Sequence, residues 1–321
     1  MYMTRVLVTG ALGQVGSELI PALRGLYGSE EVLATDIRRA PPGHPALEGP
    51  YEQLDCTNGP ALLEFFLRHR VGVVYHLAAI LSARAEAEPQ LAWRVNIEGL
   101  HNVLEAARQV GAQVFVPSSI AAFGPNTPRD PTPQDTLQRP NTLYGVTKVA
   151  GELLCDYYAH RFGLDVRGLR YPGLISYTAP PGGGTTDYAV EIFYHALQYD
   201  RYTCFLAPDT RLPMMYMPDA IRATLELMQA DPARLQHRNA FNLTAFSCTP
   251  AELAAEIQKH RPGFKMYYDI DPVRQAIADS WPRTLDDSAA REEWGWRPQY
   301  DLAAMTKDML EKLAERALKE A

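Results

Sequence analysis

The feature that most constrains this chain is a glycine-rich turn near its amino terminus, placed between a strand pattern and a helix pattern. The β-branched run 6–9 predicts a strand, and apolar residues at helical spacing predict the helix after the turn, which Pro21 is expected to kink or loosen. Glycine at Gly10, Gly13 and Gly16 permits a tight turn and lets backbone N–H groups approach an anion. The turn therefore favours a parallel α/β sheet with an anion site at its strand ends.

The first half of the chain continues the same alternation of short β-branched runs and longer helix-period segments. Strands are predicted at 31–36, 73–77, 114–116 and 164–170, and helices at 91–110 and 141–162. Such alternation is typical of βαβ units, which build a buried parallel sheet. The fold class predicted for residues 1–172 is α/β, a Rossmann-type doubly wound parallel sheet.

The pattern changes after residue 172, where prolines and glycines at 180–184 interrupt any regular element. Helices are predicted near 187–199, 218–228, 250–259 and 302–319, separated by proline-rich connections. Residues 173–321 are therefore expected to form a smaller α-rich C-terminal domain that binds the substrate. Some of its segments, for example 214–245, could return to the first domain.

Composition excludes several classes of function. The 321 residues carry a net charge of −7 and no cluster of lysine and arginine, so nucleic acid is not an expected partner. No apolar run reaches the length of about 18 residues that spans a bilayer, and no membrane association is expected. The four cysteines are far apart and the histidines form no ligand cluster, which predicts no metal and a reducing, cytoplasmic location.

A carboxylate at the end of the second strand indicates which anion the turn binds. Asp36 follows Gly16 by twenty residues, and a carboxylate there accepts hydrogen bonds from the ribose diol of adenosine. It would also repel a 2′-phosphate, so NAD is favoured over NADP. Arg38 and Arg39 weaken that preference, because an arginine in this loop can pair with the extra phosphate. A structural turn and an ordinary surface carboxylate remain the alternatives.

A second pattern points to proton transfer. Tyr144 and Lys148 lie one helical turn apart on the same face of a predicted helix. A free tyrosine has a pKa of about 10 and is a poor base, but a nearby ammonium and an oxidised nicotinamide would both stabilise the phenolate. The segment 117–124 directly follows a strand, where the ligand crevice of a parallel sheet forms, and a serine there can orient a substrate hydroxyl.

Together these motifs resemble those of the extended short-chain dehydrogenase/reductase family, in order, over residues 5–173. The resemblance selects Ser119 as the catalytic hydroxyl, 25 residues before Tyr144, with Ser118 as its neighbour. It also assigns to Asn96 either retained polar packing or a water-mediated proton relay. The predicted cofactor contacts are Gly10, Gly13, Gln14, Val15, Gly16, Asp36, Ile37, Asp55, Cys56, Leu77, Ala78, Ala79, Asn96, Tyr144, Lys148 and Tyr171.

Three stretches of the second half narrow the resemblance. Segments 171–176, 182–189 and 280–290 are similar to those of the short-chain, NAD-dependent dehydrogenases that oxidise the 3-hydroxyl of L-threonine, although that group often has threonine at the position of Ser119. The resemblance implies a small-molecule substrate, L-threonine, and a homodimer formed through helices near 88–110 and 141–162. The substrate contacts that it implies are Ser82, Ser119, Tyr144, Gly184, Thr185 and Thr186.

Three further expectations remain open at this point. Thr186 could instead be the N-cap of a helix that starts at Asp187. The loop 182–186 could close over the bound substrate. Residues 54–56 and 77–79 could contact the dinucleotide or simply pack.

Two other functions are compatible with the same sequence. A nucleotide-sugar epimerase or dehydratase would need basic residues for a diphosphate, and four arginines of the second half are available. These are Arg201, Arg211, Arg274 and Arg283. A non-catalytic dinucleotide-sensing regulator would need the cofactor site but no base, so the intact Ser119, Tyr144 and Lys148 disfavour it.

Overall fold

The computed structural model of the chain describes residues 5–178 and 184–320. The strands are β1 (Arg5–Thr9), β2 (Val32–Asp36), β3 (Tyr51–Gln53), β4 (Val71–His76), β5 (Gln113–Phe115), β6 (Ser118–Ser119), β7 (Val166–Arg167), β8 (Leu169–Tyr171), β9 (Gly173–Ile175), β10 (Arg201–Cys204), β11 (Leu212–Tyr216), β12 (Phe241–Asn242), β13 (Phe246–Cys248) and β14 (Lys265–Tyr268). The helices are α1 (Gln14–Tyr27), α2 (Gly59–His69), α3 (Ser82–Ala87), α4 (Pro89–Trp93), α5 (Gly99–Val110), α6 (Leu143–Phe162), α7 (Tyr188–Tyr199), α8 (Met217–Gln229), α9 (Pro250–His260), α10 (Pro272–Asp279), α11 (Ser288–Glu293) and α12 (Leu302–Glu320).

The central sheet has six parallel strands in the order β3-β2-β1-β4-β5-β7. This order places β1 in the middle and confirms the predicted doubly wound α/β sheet. The central strands are apolar on both faces because helices cover both sides; Val6, Leu7 and Val8 are all buried. The strand order reverses beside β1, and in such sheets ligands bind at the carboxyl ends of the strands next to this switch point, here β1 and β4.

Two apolar cores lie on the two faces of the sheet. On one face α2, α5 and α6 bury a core that includes Leu62, Val103 and Cys155. On the other face α1 packs with α8, so that Leu19 and Leu227 belong to one core. The segment 214–245 therefore contacts the first half of the chain, while the division into domains at residue 172 stays a prediction.

A third core lies beyond the sheet and is built from α7, α9 and α12. It also contains residues of the short sheets β13-β11-β9 and β10-β14. A further short sheet, β12-β8-β6, connects the two halves, and its register pairs Ser118 with Arg170 and Ser119 with Tyr171. This small sheet positions the segment in which the sequence predicts the catalytic serine.

Three elements differ from the sequence prediction. The predicted strand 164–170 is divided into β7 and β8 at Gly168, where a Cβ would lie 2.4 Å from the carbonyl oxygen of Val116. The predicted helix 91–110 is interrupted by a π-helical turn at Arg94–Glu98. Helix α1 runs through Pro21 as one helix, and Pro21 is exposed.

The described residues contain neither a membrane-spanning helix nor a cluster of metal-ligating side chains. Within 5–178 and 184–320, no helix is long and apolar enough to cross a membrane. The same residues contain no group of three or more histidine, cysteine or acidic side chains arranged to hold a metal ion. The four cysteines, Cys56, Cys155, Cys204 and Cys248, are all free thiols and all buried.

Candidate active site at the carboxyl ends of β1, β4 and β6

The glycine turn after β1 fits tightly against the end of β4. Gly10 has a φ of +70°, and a Cβ on it would lie 2.6 Å from the backbone nitrogen of Ala78. A Cβ on Gly16 would lie 2.7 Å from the carbonyl oxygens of Gly10 and Ala11, so the start of α1 packs directly on the turn. Gly13 occupies the N-cap position of α1 without a side-chain cap. The first N–H groups of the helix, around Gln14 and Val15, are therefore available to an anion.

Asp36 closes the other side of this turn. Its carboxylate accepts hydrogen bonds from the backbone N–H of Leu12 at 3.1 Å and of Arg38 at 3.0 Å. The Arg38 guanidinium also donates to both carboxylate oxygens, at 3.0 and 3.2 Å. Burial alone would raise the pKa of Asp36, but these hydrogen bonds outweigh it and hold the pKa below its usual range. Asp36 is thus a fixed anion at the end of β2.

The predicted cofactor contacts after β2 and β3 differ in the chemical groups that they can offer. Ile37 is 63% exposed and has an apolar side chain free to pack on a ring. One oxygen of the Asp55 carboxylate accepts hydrogen bonds from the Thr57 backbone and hydroxyl. The Cys56 thiol is buried against Gly99 on α5, so a contact from Cys56 has to come from its backbone.

The segment after β4 is held in place by Asn96. Leu77, Ala78 and Ala79 are half-buried beside the glycine turn. The Asn96 side chain accepts from the N–H of Ile80 at 2.8 Å and donates to its carbonyl at 3.1 Å. It also donates to the Thr147 hydroxyl on α6, at 3.1 Å. These contacts fit polar packing, the relay stays a prediction, and Asn96 lies within the π-helical turn at Arg94–Glu98.

The predicted catalytic residues are brought together at the start of α6. The Ser119 hydroxyl, at the end of β6, is hydrogen-bonded to the Tyr144 hydroxyl. The Lys148 ammonium lies 5.4 Å from the centre of the Tyr144 ring and donates to the carbonyl oxygen of Pro117 at 2.8 Å. Thr142 caps the helix by accepting from the N–H of Gly145 at 3.1 Å.

Burial determines the ionisation of this group more than the neighbouring charges do. It raises the pKa of Tyr144 to about 12, against the hydrogen bond from Ser119, which lowers it. It also lowers the pKa of Lys148 to about 8, although the charge of Glu152 opposes that shift. In the protein alone, desolvation of the phenolate therefore dominates the pKa of Tyr144. The combined effect expected of Lys148 and an oxidised nicotinamide stays a prediction.

The predicted substrate contacts other than Ser119 and Tyr144 lie on two separate segments. Ser82 is half-buried and begins α3. Thr185 is buried, and the Thr186 side chain packs against Gly173. The Gly184 N–H donates to the Asp187 carboxylate at 2.7 Å.

Two predictions about this region need correction, and a third falls partly on residues that the structure does not describe. Helix α7 begins at Tyr188, one residue later than predicted, and its N-cap is Asp187, so Thr186 is not the cap. The phenol of Tyr171 is buried in the core and hydrogen-bonded to Thr224, which leaves only its backbone for a cofactor contact. Residues 182 and 183 of the predicted closing loop lie outside the described residues.

Two buried groups beside the site are not indicated by any of the sequence motifs above. His76 ends β4 and is hydrogen-bonded to Thr9 at 2.8 Å; burial and the Lys148 charge lower its pKa to about 3, so the ring is neutral. Glu152 lies one turn beyond Lys148 on α6 and is also buried. The sequence feature that could have indicated Glu152 is its position four residues after Lys148, on a helix that packs against a sheet.

Comparison with known proteins agrees with this geometry. Residues 6–243 match the model of the NAD dependent epimerase/dehydratase family. The chain belongs to this family. Membership confirms the resemblance to extended short-chain dehydrogenases and implies a nicotinamide dinucleotide cofactor.

Several relatives cover nearly the whole chain. L-threonine dehydrogenase from Clostridium difficile is 54% identical, with a TM-score of 0.96, over 98% of this chain and 99% of that one. The holo form of a GalE-like L-threonine dehydrogenase from Cupriavidus necator is 51% identical, with a TM-score of 0.93, over 96% and 99%. An uncharacterized epimerase/dehydratase from Staphylococcus haemolyticus is 53% identical over 98% and 99%. The close structural neighbours of this chain within the family are therefore L-threonine dehydrogenases.

Proposed function

We propose that the protein is an NAD-dependent L-threonine 3-dehydrogenase, which oxidises the 3-hydroxyl of L-threonine to 2-amino-3-oxobutanoate. The observation that carries the proposal is the hydrogen-bonded pair of Ser119 and Tyr144 with Lys148 beside the ring, at the same sheet edge as the glycine turn. The similarity to the Clostridium difficile enzyme supports the choice of substrate.

The residues around the glycine turn fit a dinucleotide. A Cβ at Gly10 or Gly16 would fill the space between turn, helix and β4, and the uncapped N-terminus of α1 suits a pyrophosphate. Asp36 would accept the ribose hydroxyls, which supports NAD over NADP. Both of its oxygens already bond to Arg38, so ribose binding has to share or displace that guanidinium.

In the proposed reaction Tyr144 takes the proton of the substrate hydroxyl and Ser119 orients that hydroxyl. When bound, NAD accepts the hydride that leaves C3 of the substrate, and its oxidised ring adds a positive charge to the site. Lys148 stays protonated near neutral pH because its pKa is about 8, and its charge favours the phenolate. The pKa of Tyr144, about 12 in the protein alone, therefore has to fall when these charges act together.

The substrate carboxylate and ammonium need separate partners. We assign Ser82 to one side of the substrate and the segment from Gly184 to Thr186 to the other. The Gly184 N–H is already bonded to Asp187, so the carboxylate is held by the amides and hydroxyls of Thr185 and Thr186.

Two observations weigh against the alternative functions. Of the arginines that a nucleotide-sugar enzyme could use, Arg211 is paired with Glu252, and Arg274 lies over the ring of Phe205 at 4.2 Å. A dinucleotide sensor would have no need for the hydrogen-bonded Ser119 and Tyr144.

The test is to mix the purified protein with NAD and L-threonine and to follow the absorbance of the reduced nicotinamide. Net reduction that requires L-threonine is expected. Parallel reactions with NADP, with L-serine and with UDP-sugars define the preference. Sugar epimerisation without net reduction of NAD, together with no response to threonine, would favour the epimerase instead.

A further inference from the structure

A buried carboxylate lies directly behind the proposed catalytic group. Glu152 is 5% exposed and accepts four hydrogen bonds. Gln138 donates to it at 2.7 Å, and the Arg170 guanidinium donates to its two oxygens at 3.0 and 2.8 Å. The fourth donor is the hydroxyl of Ser118. The carboxylate therefore joins α6 to two strands and to the loop before α6.

The pairing of β6 with β8 connects the Glu152 carboxylate to the proposed catalytic serine. Ser118 and Arg170 are paired in register on β6 and β8, so their side chains lie on the same face and both contact Glu152. Ser119 points to the opposite face and meets Tyr144. One strand thus makes two contacts with α6, and the contact to Glu152 sets where Ser119 lies.

Helix α6 connects Glu152 to the other two proposed catalytic residues. Tyr144, Lys148 and Glu152 are spaced four residues apart and so lie along one face of α6. Movement of Glu152 relative to β6 would shift Tyr144 relative to Ser119. A displacement of about 1 Å in such a group can cost about a hundredfold in rate.

We propose that Glu152 is a positioning residue, which fixes Tyr144 against Ser119 through Ser118 and Arg170, and whose carboxylate is directed toward the same helix face as the Lys148 ammonium. The proposal rests on the proposed function only in the role that it gives to Tyr144 and Lys148. It assigns to Glu152 no contact with substrate or cofactor.

The titratable groups that face Lys148 determine how Glu152 affects the pKa of this lysine. On α6 it faces Tyr144, Glu152 and Cys155, and from β4 it faces His76. The ring of His76 is neutral, and the Cys155 thiol stays protonated because burial raises its pKa. The Glu152 carboxylate is therefore the anion that opposes the desolvation of Lys148. Its removal should lower the pKa of Lys148.

Two variants separate position from charge. Glu152→Gln removes the charge and two of the four acceptor contacts, and we expect kcat to fall about a hundredfold. The alkaline limb of kcat/KM should move about one unit to lower pH, because Lys148 loses its proton more readily. Ser118→Ala removes only the link to β6; kcat should fall about tenfold, with KM for NAD nearly constant and the alkaline limb in place.

The ionisation of Lys148 can also be measured without turnover. The chain has only six lysines, and Lys148 is the single one before residue 259. Lysine labelled with ¹³C at Cε gives few NMR signals, and Lys148→Arg identifies the one to follow. Its titration midpoint should lie near pH 8 in the unaltered protein and lower in Glu152→Gln.

Glu293→Gln is the matched control, because Glu293 is also a buried carboxylate but bonds to Gln236 and His237. It should change neither the pH profile nor the Lys148 titration. If Glu152→Gln does not fold, Ser118→Ala and Glu152→Asp carry the test. The proposal is overturned if kcat in Ser118→Ala stays within twofold, or if the Lys148 titration is unchanged in a folded Glu152 variant. Failure of the unaltered protein to use threonine would refute the proposed function and leave the NMR result to decide on Glu152.

Discussion

Tyr144 is the residue whose hydroxyl does the proposed chemistry, and its replacement tests that role directly. Tyr144→Phe removes only the hydroxyl and its bond to Ser119. Turnover with threonine should fall about a thousandfold, because general-base catalysis is lost. NAD affinity, measured by calorimetry, should stay within about threefold. Activity within tenfold of the unaltered protein would mean that another group is the base.

His76 makes folding stability depend on pH. Its pKa is about 3 in the folded protein and about 6.5 when unfolded, so the unfolded state binds the proton more strongly. The contribution of His76 to stability is present above about pH 6.5 and is lost as pH falls toward 3. Between pH 7 and pH 5 this amounts to about 2 kcal/mol.

Chemical denaturation at several pH values measures this effect. The change in unfolding free energy between pH 7 and pH 5 should be smaller in His76→Asn by that amount, whatever the cost of the substitution at pH 7. An equal change in the unaltered protein and in His76→Asn would show that His76 is not buried as a neutral ring.

At the residue scale the sequence was most informative where spacing carries chemistry. The interval of four between Tyr144 and Lys148 predicts a shared helix face, and the two side chains do lie together. The pKa of Tyr144 could not be predicted, because it depends on burial that no local pattern reports. For the same reason the sequence did not reveal Glu152, whose partners come from distant segments.

The glycine turn is the element on which cofactor binding depends, and Gly10 is its most constrained position. Gly10→Ala combines a positive φ with a Cβ 2.6 Å from Ala78, so unfolding free energy should fall by about 3 kcal/mol. Gly25→Ala on α1 meets no atom within 4 Å and should stabilise the protein by about 0.5–1 kcal/mol.

Denaturant titration of the two glycine variants measures both effects. NAD affinity should fall in Gly10→Ala and stay constant in Gly25→Ala. Similar stability and NAD affinity in both variants would contradict the close approach of the turn to β4.

Elements with strong periodicity were predicted well, and their interruptions were not. Apolar spacing across 91–110 is continuous enough to predict one helix, but it does not reveal the extra residue of the π-helical turn. Within that turn Asn96 bonds to Ile80 and Thr147, which lie on distant segments of the chain. The break at Gly168 likewise depends on the approach of Val116.

For the whole molecule we propose the homodimer that the family resemblance implies, formed through helices near 88–110 and 141–162, the second of which is α6. Val146, Leu153 and Tyr157 on that helix are 41%, 62% and 54% exposed. Leu153→Arg should convert the dimer to a monomer, because a charge would be buried without a partner in the interface. Sedimentation velocity measures the change.

A matched control for the dimer test lies on another helix. Leu67→Arg alters an equally exposed leucine on α2 and should leave the dimer intact. An unaltered protein that sediments as a monomer would refute the proposal.

The second half shows what sequence patterns cannot specify at the scale of the whole chain. Helical spacing in α8 predicts an apolar face but not the surface that it covers. In the fold α8 packs beside α1, and Gln113 and Arg167 of the sheet bond to its last carbonyl groups. This return depends on distant contacts, so the sequence left it open.

The buried thiols described above have a practical consequence for spectroscopy. Cys56, Cys155, Cys204 and Cys248 all have burial-raised pKa values, so maleimide reagents should react slowly with the folded protein. A cysteine introduced at exposed Arg84 on α3 would then carry a fluorophore at a single place. Dyes for single-molecule measurements could be attached without first replacing the native cysteines.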